Sequence, residues 1–427
     1  MRDIPRVTVH RNVVKALKSF DSHRLRWLDD AAALGPLVAL YIGPVPAWVV
    51  TDADLARRML VTESSSWARP PGTVTPIRMG VGENLFTQSD AAWAVLQPQV
   101  APAFRKKALA RRLAEIDALV NDEVSAIPRG SVIDLELAMG RIALIVAAWV
   151  LLGDHLDRTR AEEIAHHQRE VVSWVGRQIG KAGAAIPVTL GASGRAMRHH
   201  RAFLDAYADD VIRRASASKA SDDDVLGALR AARPADRPLS PKALRGHVLG
   251  LLFAGNETTA ATLAWALVDG AASPPVWERL RTEPDRWTKA FITETMRLHP
   301  VAWGIPRTPT KPGVTLTAGE VSVRVRRGRA TIVYIRGINR DPHLWSDPLR
   351  FDPERHNGPV DELARTLLPF GLGPRACIGQ HLALAEMHAV LPALARHGNV
   401  TVDGEIAEDP GFALRVRGGL RGRFTSV

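Results

Sequence analysis

Cysteine is almost absent from this chain, in which Cys377 is the only one among 427 residues. A single cysteine excludes an internal disulfide, so a reducing, cytoplasmic setting is expected. Apolar runs long enough to span a bilayer are also missing, because glycines and prolines interrupt the run from 31 to 50 and the later runs are short. The first ten residues lack the apolar stretch of a signal peptide. These absences predict a cytoplasmic protein without a membrane anchor.

Motifs for nucleic-acid binding are missing as well. The sequence has no zinc-finger spacing, no Gly-rich phosphate loop and no aromatic ribonucleoprotein signature. Lysine and arginine outnumber aspartate and glutamate by 56 to 45, which gives a net charge of +11. Because the basic residues are spread over many segments, we expect a solvated basic surface and no nucleic-acid partner.

Helical spacing of apolar residues dominates what is present. It predicts helices within 11–34, 91–126 and 158–216, a buried core helix around 142–152, a long helix at 241–270 and a final helix at 380–396. Strand-like runs occur at 37–42, 47–51 and 314–335, and residues 64–90 show no clear period. We therefore expect a mainly α fold with one minor β region, in a single domain over residues 1–427.

Cys377 lies in a loop rich in glycine, directly before the final predicted helix. A thiol at a helix start has a lowered pKa, because free N–H groups favour the thiolate, which is the metal-binding form. A lone cysteine is more often an inert buried side chain. The motifs elsewhere in the chain decide between these two interpretations.

Three further motifs carry charge into apolar surroundings. Glu294 and Arg297 lie three residues apart on one predicted helix face, and Arg355 offers a second guanidinium to the carboxylate. Residues 254–259, Ala-Gly-Asn-Glu-Thr-Thr, interrupt the longest apolar helix with a carboxylate that is costly to bury unless it is paired. This third motif predicts either a kink that turns Glu257 to solvent, or a local opening in which Glu257 and Thr258 relay protons.

The order and spacing of these motifs resemble those of the cytochromes P-450, the haem-thiolate monooxygenases. The family signature is Phe, two variable residues, Gly, one variable, Arg, one variable, Cys, one variable and Gly. The residues that match it are Phe370, Gly373, Arg375, Cys377 and Gly379. Glu294 and Arg297 match the family's Glu-x-x-Arg pair, Arg355 its third partner, and 254–258 its oxygen-binding groove. The resemblance covers nearly the whole chain.

The resemblance implies a role for each matching residue. Cys377 would ligate the iron of haem b (protoporphyrin IX iron), which would lie between the long central helix and the helix after the cysteine loop. Phe370 would pack beside the sulfur, Gly373 and Gly379 would let the backbone approach it, and Arg307 and Arg375 would bind haem propionates. Glu294, Arg297 and Arg355 would form a structural network. Thr258 would donate to dioxygen, and Glu257 would supply protons.

One position departs from the family pattern. The family has Trp or His followed four residues later by Arg, whereas this chain has Trp93 followed by Gln97. The Trp93 indole can still donate to a propionate, but Gln97 lacks the charge, so a weaker hold on that propionate is expected.

The resemblance also implies substrates and partners. A mostly apolar pocket predicts a small apolar metabolite of secondary metabolism, and its expected lining is Phe86, Phe253, Ala254, Ala302, Trp303 and Ile305. Further pocket residues would come from the loop at 64–90 and from the helices around a break at 180–194. Electrons would come from a separate ferredoxin and ferredoxin reductase, with docking on the basic residues Arg105, Lys106, Lys107, Arg111 and Arg112; an ordinary solvated basic face is the alternative. The enzyme is expected to be a monomer.

Three functions remain in competition. The leading one is hydroxylation or epoxidation with dioxygen. The second is a haem-thiolate enzyme that performs oxidative coupling, desaturation or peroxide-driven oxidation. The third is a haem sensor or carrier without catalysis, for which the Glu257–Thr258 pair would serve no purpose.

Overall fold

The computed structural model describes residues 4–179, 191–217, 224–358 and 366–426. Its described residues divide into two compact units, each assembled from separate stretches of the chain. The first unit takes its residues from 1–74, 178–186 and 296–377, and the second from 75–177, 187–295 and 378–427.

Helices make up most of the described residues, which confirms the prediction of a mainly α fold. In chain order they are α1 Val13–Ser22, α2 Arg24–Ala32, α3 Ala53–Arg57, α4 Pro71–Val81, α5 Asp90–Val100, α6 Lys106–Ser125, α7 Leu135–Leu152, α8 Arg158–Gln178, α9 Ala192–Ala217, α10 Val225–Ala231, α11 Pro241–Ala272, α12 Pro274–Thr282, α13 Pro284–Leu298, α14 Ile335–Asn339 and α15 Gln380–His397.

Thirteen short strands accompany these helices in the described part of the chain. They are β1 Arg6–His10, β2 Leu37–Ile42, β3 Val45–Val50, β4 Trp67–Ala68, β5 Ile133–Asp134, β6 Ile305–Pro309, β7 Gly313–Ala318, β8 Val321–Arg326, β9 Thr331–Val333, β10 Asn399–Asp403, β11 Glu408–Pro410, β12 Leu414–Val416 and β13 Arg421–Thr425.

A six-stranded sheet organises the first unit, in the order β1-β2-β3-β9-β6-β4. β2 and β3 form an antiparallel hairpin closed by Gly43, whose φ of +66° suits a tight turn. β9 pairs parallel with β3 and antiparallel with β6, in a register that places Arg307 opposite Thr331. Apolar side chains of these strands are buried with those of α3 and with Leu368 in one core. That core supports the chain just before the cysteine loop.

Two helices, α7 and α11, form the centre of the second unit. Asp134 caps α7 by accepting a hydrogen bond from the Leu137 N–H at 2.8 Å, and Ser240 caps α11 before Pro241. Gly255 faces the Ala147 methyl group of α7, where an added Cβ would lie only 3.3 Å away. Close helix packing thus explains a glycine in the interior of α11.

Three features of the chain differ from the sequence-based expectation. Residues 64–90, predicted to be irregular, contain α4, because Pro71 can occupy the first turn of a helix. The single minor β region is instead four sheets, of six, three, two and two strands. The predicted break at 180–194 ends earlier than expected, because residues 192–194 form the start of α9, while residues 180–190 lie outside the described residues.

One described helix, α7, is long and apolar enough to cross a membrane. Of its residues, 78% are buried inside the protein, and burial of this extent is also found in the core helices of soluble proteins. The structure therefore supplies only weak evidence for a membrane span.

Candidate functional site

The cysteine loop is held by its own backbone. The Cys377 N–H donates to the Phe370 carbonyl at 2.8 Å, and Gly371 and Gly373 have φ of +67° and +74°. A Cβ at Gly373 would lie 1.9 Å from the Leu60 carbonyl oxygen. Position 373 therefore accepts only glycine without rearrangement of the loop.

The first unit offers side chains that fit a haem. Cys377 is exposed at the end of the loop, where its sulfur can reach a metal. Phe370 and Arg375 are half-buried in the same loop. Arg307 is half-buried on β6, where its Nη1 donates to the Pro306 carbonyl at 3.0 Å. A thiol, an aromatic ring and two guanidinium groups match the iron, the apolar face and the anionic propionates of haem.

Arg297 is completely buried and binds backbone rather than solvent. Its guanidinium donates to the carbonyl oxygens of Asn339 and Pro348, each at 2.8 Å, and of Arg350 at 3.2 Å, and it lies 5.2 Å from the Trp345 ring centroid. Arg297 therefore ties the end of α13 to the segment that leads toward the cysteine loop.

The two predicted partners of Arg297 are Glu294, which is buried on the same helix, and Arg355, which also binds backbone. Glu294 lies one turn earlier on α13 and is also completely buried. Arg355 donates to the Ser346 carbonyl at 3.2 Å and lies 3.9 Å from Asp352. Two arginines thus bind the backbone of residues 339–350, and a shared network with Glu294 remains a prediction.

Glu257 lies in a second region, at the centre of α11. It is buried, and its Oε1 lies 3.5 Å from the Arg415 Nε. The same Nε donates to the Glu136 Oε1 at 2.6 Å, so one guanidinium bridges two carboxylates. The interpretation that Glu257 points to solvent is therefore wrong, because the ion pair compensates its burial.

A cavity of about 30 Å³ adjoins these charges. Its polar lining consists of Glu136, Gln168, Arg169, Asn256, Glu257 and Arg415. The Asn256 amide donates to Gln168 Oε1 at 2.8 Å, while Asn256 Oδ1 and Glu257 Oε1 accept no hydrogen bond from any described residue. A polar space of this size accommodates about two water molecules.

The environment of Glu257 favours its protonated form. Burial raises the pKa of this carboxyl group, Arg415 opposes the rise, and the neighbouring Glu136 adds to it. A carboxyl group whose pKa is shifted toward neutrality can both accept and donate a proton.

Thr258 follows Glu257 on the same helix and is half-exposed. Its hydroxyl donates to the Ala254 carbonyl at 2.8 Å, and its own carbonyl accepts from the Thr262 hydroxyl at 2.9 Å. α11 runs unbroken through these residues, so the predicted kink or local opening is absent from the described helix. Both hydroxyl groups therefore bond to carbonyl oxygens four residues earlier in the same helix.

Aromatic rings bring two of the predicted substrate residues together. Phe253 is buried, and its ring centroid lies 4.5 Å from that of Phe412. Phe86 is more exposed, and its ring centroid lies 6.2 Å from that of Phe412. Ala254 is exposed one residue further along α11. Phe412 lies outside every motif recognised in the sequence, so local patterns contain no signal for it.

The remaining predicted substrate residues belong to the first unit. Ala302 is exposed, and Ile305 is half-buried at the start of β6. Trp303 is half-buried, with the Arg24 guanidinium 5.9 Å from its ring centroid.

The basic segment at the start of α6 is mostly exposed, which suits a docking surface. Arg105, Lys106, Lys107 and Arg111 are exposed. Arg112 is different: it donates to the Trp149 carbonyl at 2.6 Å and lies 3.6 Å from Asp224. Its predicted place in the docking surface is therefore wrong, because an internal ion pair holds its charge. Trp93 and Gln97 are half-buried, one turn apart on α5.

Comparison with known proteins supplies independent findings. A family model described as Cytochrome P450 matches residues 22–411. The chain is 28% identical over 393 residues to cyclooctat-9-en-7-ol 5-monooxygenase and 29% identical over 406 residues to cyclooctatin synthase, both from Streptomyces melanosporofaciens. Each alignment covers 87% of this chain and 84% of the relative. A putative cytochrome P450 132 from Mycobacterium bovis is 27% identical over 358 residues, 75% of each chain.

Proposed function

Because the chain belongs to the cytochrome P450 family and is a haem-dependent monooxygenase, we propose that it hydroxylates or epoxidises a small, mostly apolar metabolite in secondary metabolism. The observation that carries this proposal is the buried Glu257 beside Thr258, with an ion pair and a water-sized polar cavity. Oxidation by dioxygen consumes protons, and this arrangement can supply them.

The haem is proposed to be held mainly by side chains of the first unit. When bound, it activates dioxygen for insertion of an oxygen atom into the substrate. Cys377 is the proposed iron ligand, Phe370 packs beside it, and Gly373 and Gly379 keep the loop close to the sulfur. Arg307, Arg375 and the indole N–H of Trp93 are proposed to bind propionates.

Glu257 is proposed to take protons from the waters of its cavity and pass them toward the Thr258 hydroxyl. Arg415 orients the Glu257 carboxylate and keeps part of it ionised, while Glu136 competes for the same guanidinium. Because the guanidinium is shared with Glu136, it compensates the charge of Glu257 only in part. This sharing suits a group that must both collect and release protons.

The proposed substrate class rests on the aromatic cluster of Phe86, Phe253 and Phe412. Three phenyl rings provide apolar contact area, and such a surface favours an apolar ligand. Two relatives are named for cyclooctat-9-en-7-ol and cyclooctatin, names that agree with a small metabolite of secondary metabolism. We propose that Ala254, Ala302, Trp303 and Ile305 also contact the substrate.

The source of the inserted oxygen tests this function. Turnover is run under ¹⁸O₂ with a candidate terpenoid, polyketide or aromatic substrate, selected by the shift that it induces in the haem spectrum. We expect one ¹⁸O atom per product molecule. Products of coupling or desaturation without ¹⁸O, or turnover supported by peroxide alone, would favour the second candidate function instead.

The ligand of the iron is tested separately. The reduced, carbon-monoxide-bound protein is expected to show the Soret band of thiolate-ligated haem. A band typical of imidazole ligation in a folded protein would exclude Cys377 as the ligand.

Dioxygen and separate electron donors follow from the family. We propose a ferredoxin and its reductase as donors, docked on the exposed Arg105, Lys106, Lys107 and Arg111, in a cytoplasmic monomer whose residues 1–427 form one domain. Docking between opposite charges predicts that reduction slows as ionic strength rises. A rate independent of salt would contradict the docking surface.

A further inference from the structure

Two neighbouring helices carry histidines that the proposed function does not use. His166 and His167 lie on α8, and His199 and His200 lie on α9. The Nδ1 atoms of His167 and His200 are 3.0 Å apart. The rings of His166 and His199 have their centroids 5.6 and 5.5 Å from the ring centroid of His200. Four imidazoles thus meet at one junction between α8 and α9.

The contact between His167 and His200 joins two nitrogens that are both potential metal ligands. One of them must carry a proton if they are to hydrogen-bond, and the other must be deprotonated. Phe203 stacks on His167 at 3.9 Å, with an angle of 7° between the ring planes, and this contact fixes the orientation of the ring. The two nitrogens are therefore held close to each other.

The spacing of these nitrogens is close to that in a metal site. Zinc binds imidazole nitrogen at about 2.0–2.1 Å in tetrahedral geometry, which places two such nitrogens about 3.3 Å apart. A separation of 3.0 Å needs an opening of a few tenths of an ångström and a rotation of the rings that directs both lone pairs at one ion. In the described residues no group of three or more ligands is already assembled, so the ion would bind this pair first.

We propose that His167 and His200 form a binding site for a divalent transition metal such as Zn²⁺, joining α8 to α9 through their Nδ1 atoms, with His166 or His199 as a further ligand. His166 and His199 are exposed and His167 and His200 half-buried, so the site is accessible from solution. Imidazole nitrogen is a ligand that Zn²⁺, Ni²⁺ and Cu²⁺ share.

The surroundings of His167 and His200 favour the neutral form of both rings. Burial lowers the pKa of His167 and of His200, and neighbouring histidines lower it further. Glu163 acts in the opposite direction on His167 and Glu170 on His200. Neutral imidazoles are the form that binds metal, and the two carboxylates would offset part of the charge of the ion.

An ion at this junction would restrain one wall of the cavity beside Glu257. Gln168 follows His167 on α8, lines that cavity and accepts the hydrogen bond from Asn256 of α11. Because α8 carries both the metal ligand and Gln168, joining α8 to α9 would restrict the movement of that wall. The site itself does not depend on the proposed proton relay.

Calorimetric titration with ZnCl₂ tests the site in the haem-loaded protein, in which the iron occupies the only thiol. We expect one ion per chain with a dissociation constant in the micromolar range. His200→Ala should weaken binding at least tenfold, and so should His167→Gln. His343→Ala, at an exposed histidine outside both helices, should leave the isotherm unchanged.

A Cu²⁺ electron paramagnetic resonance spectrum provides a second readout. The wild-type protein should show hyperfine coupling to imidazole nitrogen that is lost in His200→Ala, while circular dichroism confirms that the variant is folded. Zinc binding weaker than millimolar would overturn the proposal. An isotherm that both substitutions leave unchanged would also overturn it.

Discussion

The cysteine loop and the Glu257 region bring chemically active groups into position by different means. Backbone contacts hold the loop: the Phe370 carbonyl accepts from Cys377, and Gly373 packs against the Leu60 carbonyl. Side-chain charges hold the second region, where Arg415 bridges Glu136 and Glu257. The sulfur is exposed, whereas the carboxylate is buried.

Because of this difference, the two regions should respond differently to pH and to substitution. Backbone hydrogen bonds and steric fit do not titrate, so the geometry of the loop should be insensitive to pH. The Glu257 region depends on the balance between burial and one shared cation, which pH alters directly. Glycine substitutions should therefore damage the loop, and charge substitutions should damage the Glu257 region.

Replacing Cys377 should produce the largest effect. Cys377→Ser removes the only thiol, so the thiolate-type Soret band of the reduced, carbon-monoxide-bound protein should disappear together with turnover. Ala376→Ser adds a hydroxyl at the preceding exposed position and should retain both. A thiolate-type spectrum in Cys377→Ser would contradict the proposed ligand.

Replacing Glu257 should slow turnover without removing the haem. Glu257→Gln cannot transfer protons, and loss of such a group typically costs about 10²–10⁴ in rate. Glu136→Gln retains Glu257 and removes the competing carboxylate, so its loss of rate should be much smaller. Steady-state turnover and peroxide release by the two variants measure the difference; equal losses would contradict the assignment of Glu257.

Gly373→Ala should destabilise the loop. A residue other than glycine at positive φ costs about 1–2 kcal/mol, and overpacking against the Leu60 carbonyl adds about 1–3 kcal/mol. Gly404 has a similar φ, +85°, but open space around it, so Gly404→Ala should show the first cost alone. Denaturant unfolding of the two variants distinguishes them, and equal losses would exclude the steric contact.

The pH dependence of stability should distinguish Glu257 from the loop. Because the pKa of Glu257 is raised in the folded protein, the unfolded chain releases this proton at lower pH. Stability therefore falls as pH rises from the ordinary Glu value toward the folded pKa, by about 1.4 kcal/mol for every pH unit at most. Glu257→Gln should reduce this slope in unfolding experiments between about pH 4 and 7, leaving the contribution of the buried Glu386, whereas Gly404→Ala should retain the whole slope.

The smallest expected effect concerns the hold on a haem propionate. Gln97→Arg adds a cation one turn from Trp93, and a partly exposed ion pair contributes up to about 1 kcal/mol, equivalent to a few-fold slower transfer of haem to apomyoglobin. Gln97→Glu reverses the charge and should accelerate transfer. Unchanged or faster transfer from Gln97→Arg would exclude this position from propionate binding.

The features that could be predicted from the sequence depend on residues close together in the chain. The spacing around Cys377, the position of Glu294 one turn before Arg297, the long helix that became α11 and the strand-like runs that became β2 and β3 are all local patterns. Local patterns follow from backbone geometry and the periodicity of apolar residues, so they can be predicted without knowledge of the fold. The family and the helix-rich fold were confirmed for this reason.

Contacts between distant side chains depend on how the chain packs in three dimensions. Arg415 lies 279 residues from Glu136 in sequence, and Phe412 meets Phe253 across 159 residues. The contact between His167 and His200 spans 33 residues and two helices. Such contacts depend on how helices pack rather than on any local pattern, which is why the cation that neutralises Glu257 could not be identified from the sequence.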